Sequence, residues 1–179
     1  MSEFNGRVAI ITGSSSGIGE ETARRLSALG ATEEIPDEIF RNQFETNFFG
    51  PWELTKLVLP GMRERSSGRI VNITSIAGRC GDNGLAPYSA SKAAAISLTQ
   101  SLAFSLGPHN INVNAIGPGP TITELNKKYF EENPGDLKER IDSIPMGRMG
   151  DPSDHVGAAV FLASDASDFI TGQTLLVDG

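Results

Sequence analysis

The sequence predicts an α/β fold with a parallel sheet, and three observations predict it. Short β-branched runs alternate with longer stretches of helical periodicity. The runs are apolar almost throughout, as strands buried on both faces are. The first of them stops at a glycine-rich turn that leads into a helix.

In chain order, Arg7 to Thr12 (RVAIIT) is the first strand, Gly13 to Gly19 (GSSSGIG) the turn, and Ile18 to Leu29 a helix that ends at Gly30. Pro36 suits the first turn of a second helix, with Ile39, Phe40, Phe44, Phe48 and Trp52 at helical spacing. That helix should continue to about Arg65, where Ser66-Ser67-Gly68 breaks it. Arg69 to Thr74 (RIVNIT) is a strand, and a long helix is expected from about Pro87 to Leu106. Ile111 to Ile116 (INVNAI) is another strand, meeting Gly117-Pro118-Gly119-Pro120. Residues 121 to 150 hold short helical stretches, Pro152 opens a helix to about Ala163, and Gln173 to Val177 (QTLLV) is the last strand.

With 179 residues and no repeat or flexible linker, the chain reads as one domain over residues 1–179. A formal net charge of −7 argues against nucleic acid or an anionic membrane as partner. No apolar run approaches the ~20 residues that span a bilayer, and the first residues lack the pattern of a signal peptide. The single cysteine, Cys80, excludes an internal disulfide and suits a reducing compartment, so a cytoplasmic location is expected. His109 and His155 have no second ligand at metal spacing; both read as ordinary surface residues and no metal site is expected. Asn72-Ile73-Thr74 fits a glycosylation sequon but falls in an expected buried strand, which favours a chance match.

Two segments carry chemistry. In Thr12-Gly13-Ser14-Ser15-Ser16-Gly17-Ile18-Gly19, glycines allow a tight turn and a close backbone approach, and the helix start offers N–H groups to a pyrophosphate. In Tyr88-Ser89-Ala90-Ser91-Lys92, residues four apart share a helix face. A phenol titrates near ~10 and is a poor proton-transfer group at neutral pH unless a neighbouring cation favours the phenolate. Taken alone the pair fits a solvated helix face better, while Pro118-Gly119 equally fits a plain turn. Ser75 ends a strand thirteen residues before Tyr88, where its hydroxyl could meet a substrate oxygen. Asn47, in Thr46-Asn47-Phe48-Phe49-Gly50, reads either as part of a site or as a buried amide serving local backbone.

Together these motifs resemble the classical short-chain dehydrogenase/reductase family from about Gly6 to the last residue. The resemblance implies a Rossmann-type doubly wound parallel sheet and an oxidoreductase that interconverts an alcohol and a carbonyl with NAD or NADP. It implies Asn47, Ser75, Tyr88 and Lys92 as the catalytic set: Tyr88 exchanges a proton with the substrate oxygen, Ser75 positions substrate, Lys92 holds the nicotinamide ribose, and Asn47 helps hold a water in the proton relay. For the cofactor it implies Gly13, Ser15, Ser16, Gly17, Ile18 and Gly19 at the pyrophosphate, with Tyr88 and Lys92 at the nicotinamide side. Pro118 and Gly119 would abut the nicotinamide, while the Thr121 backbone and the Thr123 hydroxyl hold its carboxamide. The loop from Arg79 to Pro87 and the segment from Thr121 to Gly150 would shape a partly apolar pocket, with Tyr129, Phe130, Ile141, Ile144 and Met146 facing substrate. A homodimer or homotetramer is the expected assembly.

After Gly30-Ala31-Thr32 the chain departs from the family pattern and passes through Glu33-Glu34-Ile35-Pro36 into a later helix. Two to three β-α units are missing, roughly 50 to 60 residues at ~30 per βαβ unit. With them go strands two to four, an Asn-Ala-Gly segment and the residue that selects NAD or NADP, expected ~20 residues past the glycine motif. The strand that should lie between RVAIIT and RIVNIT is among the losses. Omitted residues, a splice variant or faulty gene model, and a shortened relative with a binding or scaffold role and no catalysis all fit that gap.

Overall fold

The computed structural model of the chain describes residues 36–81 and 85–179. The expected first strand, the glycine turn and the first helix lie outside the described residues. The chain divides into two units, Met1–Asp37 and Glu38–Gly179. Only Pro36 and Asp37 of the first are described, and the second is an α/β unit.

Helix α1 (Asp37–Phe44) runs into a π-helical turn (Glu45–Phe49) and then α2 (Gly50–Glu64). The sequence suggests one regular helix here; the difference has a local cause. Pro51 has no N–H to give the carbonyl four residues back, that of Asn47, and its ring crowds that carbonyl. The backbone widens instead, with the Gly50 N–H bonding the Glu45 carbonyl.

Strand β1 (Gly68–Ile73), strand β2 (Ile111–Pro118) and strand β3 (Thr174–Val177) form a parallel sheet in the order β1-β2-β3. Gly68 faces Ile111 through to Ile73 facing Ile116, and Ala115 faces Thr174 through to Pro118 facing Val177. Parallel order with helical connections is the Rossmann-type arrangement that the sequence predicts.

Helix α3 (Ala86–Leu106) connects β1 to β2 and starts with Pro87 in its first turn, where a missing N–H costs nothing. Its inward positions include Ser91, Ala95 and Thr99, small enough for close approach to the sheet. Leu102, Ala103 and Leu106 of α3 meet Ile111 and Val113 of β2 in the core, flanked by Trp52, Leu59, Met62, Ile70 and Leu98. The polar residues of β2 have partners. Asn114 donates to the Ile170 carbonyl (2.8 Å) and accepts from the Gln173 N–H (3.0 Å), while Asn112 donates to Asp168 and Ile170 carbonyls. Two asparagines thus fasten the loop that returns to β3.

Residues 121–150 hold helix α4 (Lys127–Glu132) and helix α5 (Pro134–Asp142). A capping box between Asp151 and Asp154 opens a 3₁₀ turn (Pro152–His155), which leads into helix α6 (Val156–Ala163). No described helix is long and apolar enough to cross a membrane.

Strand β1 is less buried than its composition suggests. Its residues are half-buried and Ile73 is 58% exposed, whereas β2 is buried almost throughout. In the sequon, the Asn72 amide donates to Thr99 Oγ1 at 2.9 Å and Thr74 is buried, so neither polar side chain faces a glycan.

Candidate active site

The site lies where β1 and β2 end. Thr74 ties the two strands at that edge, its N–H and its hydroxyl both bonding the Ile116 carbonyl at 2.8 Å. The next residue, Ser75, leaves the strand and caps a 3₁₀ turn (Ile76–Gly78), its Oγ accepting the Ala77 N–H at 3.1 Å. This places a buried serine hydroxyl at the carboxyl end of a parallel strand, where open α/β sheets bind ligands.

Tyr88 stands in the first turn of α3, and Lys92 follows one turn later on the same face. The Lys92 ammonium donates to the Ile73 carbonyl at 2.9 Å and lies 5.6 Å from the centre of the Tyr88 ring. Burial pushes the Lys92 pKa below its ordinary value. The shift has a stability consequence of definite sign. A lysine depressed in the folded state loses its proton before the unfolded chain does. Stability therefore rises with pH between the lowered pKa and the ordinary one. Urea unfolding of wild type and Lys92→Met across the alkaline range should show that rise in the wild type and a flatter curve in the variant. Parallel curves would contradict it.

Ser75, Tyr88, Lys92, Pro118, Gly119 and Thr121 all line one pocket of about 400 Å³. Gly119 packs so closely on the last strand's exit that a Cβ there would come within 2.6 Å of Asp178 Cα. Asn47 is not among the lining residues. Its amide donates to Gln43 (2.8 Å) and to Ser91 Oγ (3.0 Å), and Ser91 in turn bonds the Tyr88 carbonyl at 2.7 Å. Asn47 thus braces the turn of α3 that carries Tyr88, and Pro51 cannot donate to its carbonyl.

Thr123 is exposed and off the pocket, its N–H accepted by Asn126 Oδ1 at 2.8 Å. The Thr121 carbonyl is taken by the Asn126 amide at 2.9 Å, so Asn126 shapes this turn and also lines the pocket. Of the five apolar residues expected at the substrate, Phe130 alone lines the pocket beside Tyr88. Tyr129 instead bonds Asp136, Ile144 is core, Met146 lies in a neighbouring pocket, and Ile141 is half-buried elsewhere. Leu85, Arg140 and Met149 also line the pocket; they fall in the two segments expected to shape it, though none was named individually. Gly13, Ser15, Ser16, Gly17, Ile18 and Gly19 lie outside the described residues. Cys80 is exposed and does not line the pocket.

His155 is no ordinary surface residue. Thr121 gives its hydroxyl proton to the Gly119 carbonyl and sits 2.9 Å from His155 Nε2, which makes Nε2 the donating nitrogen. Both side chains line the neighbouring pocket of about 230 Å³. There Arg148 forms a two-pronged bond with Asp154 (2.7 and 2.8 Å) and holds its carboxyl well below the usual carboxylate range, helped by the Asp151 N–H. No group of His, Cys, Asp or Glu among the described residues is arranged to hold a metal.

The family model of enoyl-(acyl carrier protein) reductase matches residues 31–179. The chain belongs to the short-chain dehydrogenase/reductase family. An NAD-dependent glycerol dehydrogenase from Listeria innocua is 38% identical over 154 residues, covering 86% of this chain and 60% of that protein. The structure of ElxO with NADP bound superposes with a TM-score of 0.77 at 32% identity, covering 82% of this chain and 59% of that one. A 7α-hydroxysteroid dehydrogenase complexed with NADH and 7-oxo glycochenodeoxycholic acid gives 0.76 at 37% identity, covering 82% and 56%. This short-chain dehydrogenase/reductase spans about half the length of the curated relatives it matches, from 49% of one to 60% of the glycerol dehydrogenase.

Proposed function

We propose that the chain is an NAD(P)(H)-dependent oxidoreductase that interconverts an alcohol and a carbonyl, with Tyr88 as the acid/base. The observation that carries this reading is the convergence of Ser75, Tyr88 and Lys92 on one pocket at the carboxyl ends of β1 and β2. The pocket fits the nicotinamide half of a dinucleotide: it is walled by Pro118, Gly119 and Thr121, with a lysine ammonium at its side. The Gly13–Gly19 turn, expected at the pyrophosphate, lies outside the described residues.

When bound, NAD(P) supplies or accepts the hydride. The protein's own part is proton handling and alignment. Ser75, held by its bond to the Ala77 N–H, offers its hydroxyl to the substrate oxygen. Tyr88 gives or takes the proton at that oxygen. Lys92, steered by the Ile73 carbonyl, sits beside the phenol and would hold the nicotinamide ribose. Asn47 and Ser91 hold the helix turn that aims Tyr88. The names of the relatives, dehydrogenases and reductases of glycerol, hydroxysteroid and sugar-acid substrates, support the class and span too many substrates to select one. Exposed apolar residues on the helices, Leu54, Leu57, Val58 and Phe104 among them, support a homodimer or homotetramer.

A second reading, a shortened binding or scaffold protein without catalysis, is favoured by the coverage of about half of the relatives. One sample separates the two. Titrating the purified chain with NADH and NADPH, following nicotinamide fluorescence, should show saturable binding of one of them, with light scattering giving a particle above the 19.0 kDa of one chain. A folded chain that binds neither would put the scaffold reading first.

A further inference from the structure

Thr121 stands in the wall between the Tyr88 pocket and the smaller pocket behind it, and lines both. Gly150 pins the segment on one side: its N–H bonds the Pro120 carbonyl and its carbonyl takes the Ile122 N–H, both at 2.9 Å. Successive residues of an extended chain turn their N–H and C=O groups to opposite sides, so Thr121 turns its own away from Gly150. There Asn126, a residue of the Tyr88 pocket, donates to the Thr121 carbonyl at 2.9 Å. The Thr121 N–H, on that same side, meets no acceptor among the described residues. The hydroxyl is engaged from behind, donating to the Gly119 carbonyl and accepting from His155 Nε2, each at 2.9 Å.

We propose that His155 is a positioning residue for the nicotinamide. By holding the Thr121 hydroxyl it aims the one unengaged polar group of Thr121, its N–H, into the Tyr88 pocket. The inference rests on the oxidoreductase reading of that pocket.

Three features support it. The bond to Thr121 is the only described hydrogen bond of the imidazole, whose Nδ1 is buried with no partner. An apolar side chain there would orphan no polar atom, so the bond to Thr121 is what offsets the burial of the ring. Second, the strong polar groups beside the ring are committed to each other: Arg148 grips Asp154 with two bonds, and Asp154 also takes the Asp151 N–H. Third, one capped corner grips Thr121 twice. Gly150 bridges its backbone, and His155 ends the 3₁₀ turn that the Asp151–Asp154 capping box opens just after Gly150. The fit is close, for a Cβ at Gly150 would stand 3.1 Å from Thr121 Oγ1.

The test uses the full chain and reads binding rather than turnover. NADH and NADPH are titrated by nicotinamide fluorescence, and ADP-ribose or its 2′-phosphate, which lack the nicotinamide, by calorimetry. His155→Leu should weaken the dinucleotide about 3- to 10-fold, the worth of one hydrogen bond, and leave the fragment unchanged. His155→Gln, whose amide can donate in place of Nε2, should recover most of that loss. His155→Leu and Thr121→Val together should lose no more than the larger single loss, as partners in one bond do. In the ligand-free chain, amide exchange at Ile122 and Gly150 should quicken by about the same factor in His155→Leu. Urea midpoints verify folding; should His155→Leu not fold, Thr121→Val carries the same comparison of dinucleotide with fragment.

Unchanged dinucleotide affinity in His155→Leu, equal losses for dinucleotide and fragment, no recovery in His155→Gln, or additive losses in the double variant would overturn the inference and leave the oxidoreductase reading in place. So would unchanged exchange at the two amides. A wild-type chain that binds neither NADH nor NADPH would sink that reading and the inference with it.

Discussion

Tyr88→Phe is expected to lower kcat by about 10²- to 10⁴-fold, the range that a positioned proton-transfer group contributes. The substitution removes one hydroxyl and keeps the ring beside Lys92, so the Lys92 bond to the Ile73 carbonyl and the packing of α3 should persist. Dinucleotide affinity should stay within about twofold of wild type, because an interaction made only in the transition state lowers kcat without weakening ground-state binding. Stopped-flow turnover with NADH or NADPH and a fluorescence titration of the same sample separate the two effects. Unchanged turnover in the variant would remove Tyr88 from its role, whatever its neighbours suggest.

Gly78→Ala should cost about 1–3 kcal/mol of stability, as overpacking of a close contact does. Gly78 ends the turn that follows Ser75 and lies directly against α3. A Cβ there would stand 2.8 Å from the Lys92 carbonyl carbon and 2.9 Å from the Ala93 nitrogen. Both atoms are backbone, so no rotamer change relieves the contact, and the turn and the helix must part. That separation displaces Ser75 relative to Tyr88 and Lys92, and turnover should fall with the urea midpoint. Gly81→Ala is the matched control: a Cβ at Gly81 meets no atom of the described residues within 4 Å, and its midpoint should stay within about 0.5 kcal/mol. Equal midpoints for the two variants would mean that the turn does not rest on α3 as described.

The strands and the long helix were legible because their signals are local and strong. RIVNIT and INVNAI are β-branched runs bounded by glycine, and α3 begins at a proline and ends at Gly107, each within a residue or two of expectation. Spacing alone put Tyr88 and Lys92 one helical turn apart and Ser75 at a strand's end; it was the family resemblance that joined the three into one expected site. The π turn was missed although its cause is written in the sequence, Pro51 standing four residues after Asn47. What stayed hidden depends on long-range placement. His155 reaches Thr121, and Arg140 and Met149 reach the pocket of Tyr88, across stretches whose path no local pattern sets. Thr123 likewise turns on a contact no spacing announces: its N–H is taken by Asn126 and the residue stands exposed.

The all-parallel order β1-β2-β3 also sets how the molecule acquires its shape. Each neighbouring pair is joined through intervening helices, and β2 gains neither partner from the residues beside it in the chain. Loop closure must be met before either ladder returns any stabilisation, so the sheet assembles late, as non-local parallel pairing does. Until then INVNAI, the most buried strand of the finished unit, stands open to solvent and to other chains. During synthesis β3 emerges last, which leaves β2 without its second neighbour until the final residues of the unit are made.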